Sequence, residues 1–152
     1  MPYKIKQPRT SSIPSDEFQA IYSMVPRLTV ELVIRTDMGI LLTRRSIPPQ
    51  VGKWHLPGGT VFFGESLPDA VRAVAKDELG VDVEVGKLLG YVEYPKQHAE
   101  GYNGWPVGIA FEVTLKDSEV SGGRQGEEVA FFAELPQEII EEQKAFLDSL
   151  TV

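Results

Sequence analysis

Cysteine is absent from the 152 residues. This excludes disulfides, thiolate zinc centres and a cysteine nucleophile, and it suits a reducing compartment. No apolar run approaches the ~20 residues that a membrane-spanning helix needs. The basic N-terminus, MPYKIKQPRTSS, is not followed by the apolar segment of a secretory leader. The expectation is a cytoplasmic protein that does not engage a membrane. Positive charge is also in short supply: 15 Lys and Arg against 22 Asp and Glu give a net charge of −7. That balance argues against nucleic acid as a partner, because a generic grip on a phosphate backbone needs the opposite field. A small anionic substrate would be repelled too, unless a local arginine or a bound cation reversed the potential.

What the chain does contain supports one packed domain. Its length suits a single core, and 42% hydrophobic with 24% charged residues is the proportion of a globular protein. Residues 1–13 carry Lys4, Lys6 and Arg9 without periodicity and read as an arm or an edge-packing segment, leaving 14–152 as the domain. Ser15–Val25 predicts a short helix capped by Ser15 and ended by Pro26. Leu28, Val30, Leu32 and Ile34 alternate onto one face of a strand, and Ile40–Arg44 returns as its hairpin partner after Asp37-Met38-Gly39. Trp54-His55-Leu56 is a short strand stopped by Pro57-Gly58-Gly59.

The strongest helix runs from Leu67 to Leu79, with Ser66 as N-cap, Asp69 three residues on, Pro68 in the first turn and Gly80 after the last. Strand-like runs follow at 81–85, 88–94, 107–115 and 129–132, with loops at 95–106 and 118–128. A last helix beginning near Pro136 presents Ile139, Ile140, Phe146, Leu147 and Leu150. This order predicts an α/β (α+β) domain, a mixed sheet with helices on both faces.

The Leu67–Leu79 helix carries charges that it should not favour. Val71, Val74 and Ala75 form its apolar face, and Glu78 projects from that same face, with Asp77 on the flank. Two carboxylates in the last turn oppose the helix dipole, at about 0.3–1 kcal/mol each, and a carboxylate on a burying face loses hydration. A bound Mg²⁺ or Mn²⁺ would offset both penalties. The plainer reading is a frayed helix end with both acids in water. Gly58 and Gly59 permit close backbone approach to a ligand, and Glu65 sits at the positive end of the helix, where a carboxylate is favoured.

The run from Trp54 through Pro57-Gly58-Gly59 to Gly64-Glu65, continued by Asp77-Glu78-Leu79-Gly80-Val81, resembles the Nudix box, G-x5-E-x7-R-E-U-x-E-E-x-G-U, with U aliphatic. Gly59, Glu65 and Gly80 match in spacing, and Asp77 replaces the first Glu of the final pair. The resemblance implies a Nudix-type α/β/α sandwich over about residues 14–150. The central Arg-Glu of the pattern falls on Ala73 and Val74, so the box is degenerate. Arg72, one residue early, is a substitute for the lost arginine if it pairs with Glu65. The missing Glu implies fewer metals, or one held differently.

A branch with a similarly worn box, the GDP-mannose mannosyl hydrolases, is similar at further positions. That resemblance implies substrate-binding roles for Arg45 and Glu31. It implies metal binding at Glu78, at Gln125 and at the carbonyl of Gly58, with Asp77 either a ligand or a support for one. Two departures stand out: Thr60 replaces an arginine that contacts the diphosphate, and Gly126 replaces the histidine base. Glu127 and Glu128 are then the candidate catalytic bases, with His98 a less favoured one. Tyr102 and Trp105 can stack on a base or sugar, or simply pack the loop.

The resemblance implies a hydrolase, dependent on Mg²⁺ or Mn²⁺, of a nucleoside diphosphate linked to another moiety, for which Arg45 binds the anion bidentately. Glycosyl transfer at a sugar carbon and a catalytically silent nucleotide-binding module are the alternatives. The partner is a small nucleotide-containing molecule, and a homodimer is compatible with the family.

Overall fold

The computed structural model describes residues 13–46, 50–116, 120 and 128–150. Most of the expected N-terminal arm, together with Gln125, Gly126 and Glu127, lies outside the described residues. Helix α1 (Ser15–Tyr22) leads into β1 (Arg27–Thr36) and β2 (Gly39–Arg44), followed by β3 (Trp54–His55), β4 (Gly58–Thr60) and α2 (Leu67–Leu79). Then come β5 (Val83–Glu93), α3 (Pro95–Ala99), β6 (Pro106–Leu115), β7 (Val129–Phe132) and α4 (Glu141–Ser149). The seven strands form one mixed sheet, with β1 and β6 parallel and every other pair antiparallel. No helix among the described residues is long and apolar enough to cross a membrane.

The sheet is held from two sides. On one face α2 buries Ala70, Val71, Val74, Ala75 and Leu79 against Val30, Leu32, Ile34, Phe111 and Val113. On the other, Ile139, ahead of α4, and Leu147 of α4 pack with Val33, Ile40, Leu42, Leu56 and Ala110. This is the α/β/α sandwich that the sequence led us to expect. β1 is covered on both faces, so Val30 to Ile34 are all buried rather than alternating. Leu28, expected on the core face, is 43% exposed and lies outside the apolar cluster that α2 helps to form.

The helix ends of α2 match their sequence signals. Ser66 Oγ accepts from the Asp69 N–H at 3.2 Å, and Gly80 adopts the left-handed conformation at φ 70°. Other boundaries moved. Ser15 is the first buried residue of α1 rather than its cap, which is Pro14. The two runs at 81–85 and 88–94 are parts of one strand, β5, with register shifts on either side of Leu88. Part of the 95–106 loop forms α3.

The last helix starts five residues late. Residues 138–140 instead run beside β3, where the Trp54 N–H donates to the Glu138 carbonyl at 2.7 Å and the Ile140 N–H donates to the Trp54 carbonyl at 3.0 Å. Ile139 and Ile140 are buried in two different apolar clusters, which an extended backbone allows and one helical face does not.

Pro57-Gly58-Gly59 does not end the sheet. It carries the chain from β3, which pairs with β2, to β4, which pairs with β1 at Thr29–Thr60, Val30–Gly59 and Glu31–Gly58. β1 and β2 pair directly only beside their turn, at Arg35–Ile40 and Thr36–Gly39. Beyond it they part, and the β3–β4 crossing fills the gap.

Removing the α2 cap with Ser66→Ala should lower the unfolding free energy by about 1 kcal/mol. Gly39→Ala should lower it by clearly more, because its φ is 113° and a Cβ would run into the Phe132 backbone. Urea titration of both variants checks the order, and equal losses would contradict it.

Candidate active site

A cleft of about 140 Å³ opens where β1 and β2 diverge. Arg27, Thr29 and Glu31, which share one face of β1 by strand alternation, line it together with Arg45, His55 and the adjacent Gly58-Gly59 of β4. Tyr94, Gln97, Ile140 and Gln143 complete the lining. Arg45 follows β2 directly. Its backbone is pinned across the β2–β3 loop, with its N–H donating to the Lys53 carbonyl and its carbonyl accepting from Gly52, both at 2.9 Å.

Glu31 is 5% exposed, a charged side chain inside the sheet. Two glycines make room for it. A Cβ on Gly58 of β4 would lie 2.8 Å from Glu31 Oε1, and a Cβ on Gly108 of β6 would lie 2.7 Å from Glu31 Cγ. Tyr94, just past β5, donates its hydroxyl to Glu31 Oε2 in a short hydrogen bond. Gln143 of α4 donates Nε2 to the same oxygen at 3.4 Å and to the Tyr94 hydroxyl at 2.8 Å. Its Oε1 accepts the Leu56 N–H at 2.7 Å. Burial raises the Glu31 carboxyl to about 7, against the opposing pull of Tyr94, Arg27 and Gln143. The same burial and the neighbouring Glu31 hold the Tyr94 hydroxyl well above its usual range, so Tyr94 acts as a donor.

His55 is pushed down to about 4 by burial and by the positive Arg45. Nδ1 lies 2.8 Å from the Leu56 carbonyl and Nε2 3.2 Å from Thr43 Oγ. The carbonyl can only accept, so the neutral ring carries its proton on Nδ1. Both nitrogens thus have partners within the protein, in keeping with the structural role read from the sequence.

The box carboxylates occupy the other side of β4. Helix α2 packs on β4, and Asp77 and Glu78 in its last turn are half-buried, with Asp77 Oδ1 fully covered. Glu65 Oε1 accepts the Phe62 N–H at 3.0 Å and closes the turn ahead of α2. None of these three lines the cleft; Gly58 and Gly59, with α2 on one side and the cleft on the other, connect the two regions. The groups that the resemblance implies as ligands are all oxygens, two carboxylates and the Gly58 carbonyl, a set that would suit a hard divalent cation. Among the described residues, no three acidic or histidine side chains converge into a complete cage. A cation held here would therefore take its remaining ligands from phosphate oxygens and water.

Several predicted residues fall elsewhere. Arg72 does not pair with Glu65; it pairs with Asp69 at 2.8 Å on the exposed face of α2, since Asp69 lies within one turn of it. Ala73 is half-buried and Val74 is packed in the core, so the positions of the family's Arg-Glu offer no polar group. Glu128 pairs with Arg44 at 3.3 Å, and Arg44 stacks at 5.8 Å over Trp54. Gln125 and Glu127 lie outside the described residues. Tyr102 reaches the cleft indirectly, its hydroxyl accepting from Arg27 at 3.1 Å. His98 is exposed and packs edge-on to Trp105.

Sequence reasoning missed Arg27, Tyr94 and Gln143. The first was legible, being two and four residues before Thr29 and Glu31 on a strand. The other two come from distant elements and carry no local signal.

The two shifted groups oppose one another in their effect on stability. Glu31, raised from 4.5 to about 7, favours the folded protein at low pH; that contribution is lost as pH climbs from 4.5 through 7. His55, lowered to about 4, removes stability as pH falls from 6.5 through 4. Glu31→Gln should abolish only the first effect. Relative to wild type, its unfolding free energy should rise by about 3 kcal/mol between pH 4 and pH 8. Urea titrations across that range read the difference, and a constant offset would show that Glu31 is not raised.

The family model described as NUDIX domain matches residues 25–148. The chain is 43% identical over 126 residues to the low-salt glycan biosynthesis protein Agl8 of Haloferax volcanii, covering 81% of each. It is 31% identical over 125 residues to an ADP-ribose pyrophosphatase of Methanocaldococcus jannaschii, covering 81% of this chain and 72% of that one. Among solved structures, the MutT NUDIX hydrolase from Burkholderia pseudomallei superposes with a TM-score of 0.72 at 28% identity, over 82% of this chain and 97% of that one. The chain belongs to the NUDIX domain family, the family of the Nudix hydrolases.

Proposed function

We propose that the protein hydrolyses a nucleoside diphosphate linked to a second moiety, a nucleotide sugar or a close relative, with the help of Mg²⁺ or Mn²⁺. The observation that carries this reading is the placement of Arg45 and Glu31 in one cleft beside Gly58-Gly59, the stretch on which the carboxylate-bearing α2 packs. A guanidinium on a chain of net charge −7 supplies the local positive field that a diphosphate requires. The relative named for glycan biosynthesis and the relative named an ADP-ribose pyrophosphatase support a substrate in which a diphosphate joins a nucleoside to a sugar-containing group.

Asp77, Glu78 and the Gly58 carbonyl are the proposed ligands, with Gln125 a further one. A divalent cation bound there would neutralise charge that develops on the phosphate oxygens. Arg45 holds the anion, and Glu31, in the floor of the cleft, accepts a hydrogen bond from a hydroxyl of the bound molecule. Water attacks one phosphorus, the bridging P–O bond breaks and two phosphate-bearing products leave. Glu127 or Glu128 takes the proton of the attacking water. For Glu128 this requires release from Arg44, a pair so exposed that its rupture costs little.

A silent binding module is the second reading, favoured by one observation: the positions of the family's Arg-Glu are here filled by Ala73 and the core residue Val74.

Wild type and Glu78→Gln, incubated in ¹⁸O-water with Mg²⁺ or Mn²⁺ and a panel of nucleotide sugars, dinucleotides and nucleoside triphosphates, are to be followed by phosphorus NMR. Metal-dependent turnover of a nucleotide sugar, with ¹⁸O on a phosphate product and a loss of about a hundredfold or more in Glu78→Gln, is expected. Label on the sugar carbon would move the reaction to glycosyl transfer. Binding without turnover across the panel would favour the silent module.

A further inference from the structure

We infer that Arg27 is a second diphosphate-binding residue, which supplies positive charge to the cleft from β1. The inference rests on the reading of the cleft as a diphosphate site and adds to it a residue outside the Nudix box.

Strand register brings Thr60 within reach of Arg27. Thr60 pairs with Thr29, so its side chain emerges on the face of the sheet that carries Arg27, Thr29 and Glu31. Arg27 reaches across to that point, with one guanidinium nitrogen donating to Thr60 Oγ at 2.8 Å. The other terminal nitrogen donates to the Tyr102 hydroxyl at 3.1 Å. The small hydroxyl at position 60 thus serves as a rest for a guanidinium that starts one strand away. An arginine at position 60 would project from the same face toward the same part of the cleft.

The partners of Arg27 leave its charge available. Both are neutral hydroxyls, and among the described residues no carboxylate lies within ion-pair distance of it. Glu31 is near enough to feel its field but bonds to Tyr94 and Gln143. A guanidinium has five N–H donors, and neutral hydroxyls fix its plane without neutralising it. A half-buried cation held in this way, lining the same cleft of about 140 Å³ as Arg45, is suited to an anion with two phosphoryl groups. Its backbone is equally constrained: the Arg27 N–H donates to the Trp105 carbonyl at 2.9 Å, so the loop bearing Tyr102 is fastened at both its backbone and its ring to the residue that would meet the phosphate.

The test uses inorganic pyrophosphate and the four common nucleoside diphosphates as probes, titrated calorimetrically with Mg²⁺ present, so that it does not depend on turnover. Arg27→Leu should weaken binding by about tenfold to a hundredfold, as should Arg45→Leu. Arg27→Lys should recover part of the loss. Thr60→Arg placed in the Arg27→Leu background should restore affinity to within a few-fold of wild type, with melting temperatures recorded for every variant. An Arg27→Leu protein that binds the probes like wild type, while Arg45→Leu does not, overturns the assignment of Arg27 and leaves the reading of the cleft intact. A loss that neither Arg27→Lys nor Thr60→Arg repairs shows a structural role and also overturns it. A wild type that binds none of the probes overturns the diphosphate site as a whole.

Discussion

Much of the structure is arranged around one buried carboxylate. Glu31 lies in a strand covered on both faces, where a bare ionised group would be strongly disfavoured. Three accommodations make it tolerable. Glycines on both neighbouring strands leave space beside it, Tyr94 and Gln143 donate to it, and burial holds it near neutrality rather than fully ionised. These contacts also tie elements together, since Gln143 on α4 bonds to Glu31 on β1, to Tyr94 beyond β5 and to the backbone at Leu56. A polar network of this kind is stabilising only when every member is satisfied, which constrains the glycines, the tyrosine and the glutamine together.

The second constraint is the parting of β1 and β2. Their direct pairing is confined to the turn, and the gap beyond it is filled by a chain that changes partners at Leu56-Pro57. This crossing places Gly58-Gly59 between α2, which carries the box acids, and the cleft, which carries the arginines. The Asp77 and Glu78 carboxylates are thereby kept out of the cleft that holds Arg27 and Arg45. In a chain of net charge −7 that separation matters: a cleft with two arginines can attract an anion only if the helix carboxylates do not quench them.

Legibility in the sequence followed the range of the forces involved. Helix α2 was readable to the residue because its cap, its apolar stripe and its terminal glycine are local signals. The spacing of Gly59, Glu65, Asp77, Glu78 and Gly80 carried the family. Errors arose where a local signal met a tertiary partner. Pro57-Gly58-Gly59 read as a stop because proline and glycine usually end strands, yet here they carry the chain from one partner strand to another. Ile139 and Ile140 read as helical because they fit an apolar stripe, yet β3 offered them a bridge. Arg72 read as a partner for Glu65 by periodicity, but Asp69 was nearer.

The sequence by itself determined the sandwich of helices and mixed sheet, the α2 helix with its two terminal acids, and the net charge of −7, because each follows from composition or from contacts within a few residues. Only the tertiary structure decided that Glu31 is buried between two glycines, that Tyr94 and Gln143 hold it, that Glu128 faces Arg44, and that Arg27 lies against Thr60. Those relations join residues up to 112 positions apart. Hydrogen bonding and desolvation act through space, and no periodicity along the chain encodes which distant donor will arrive beside a buried acid.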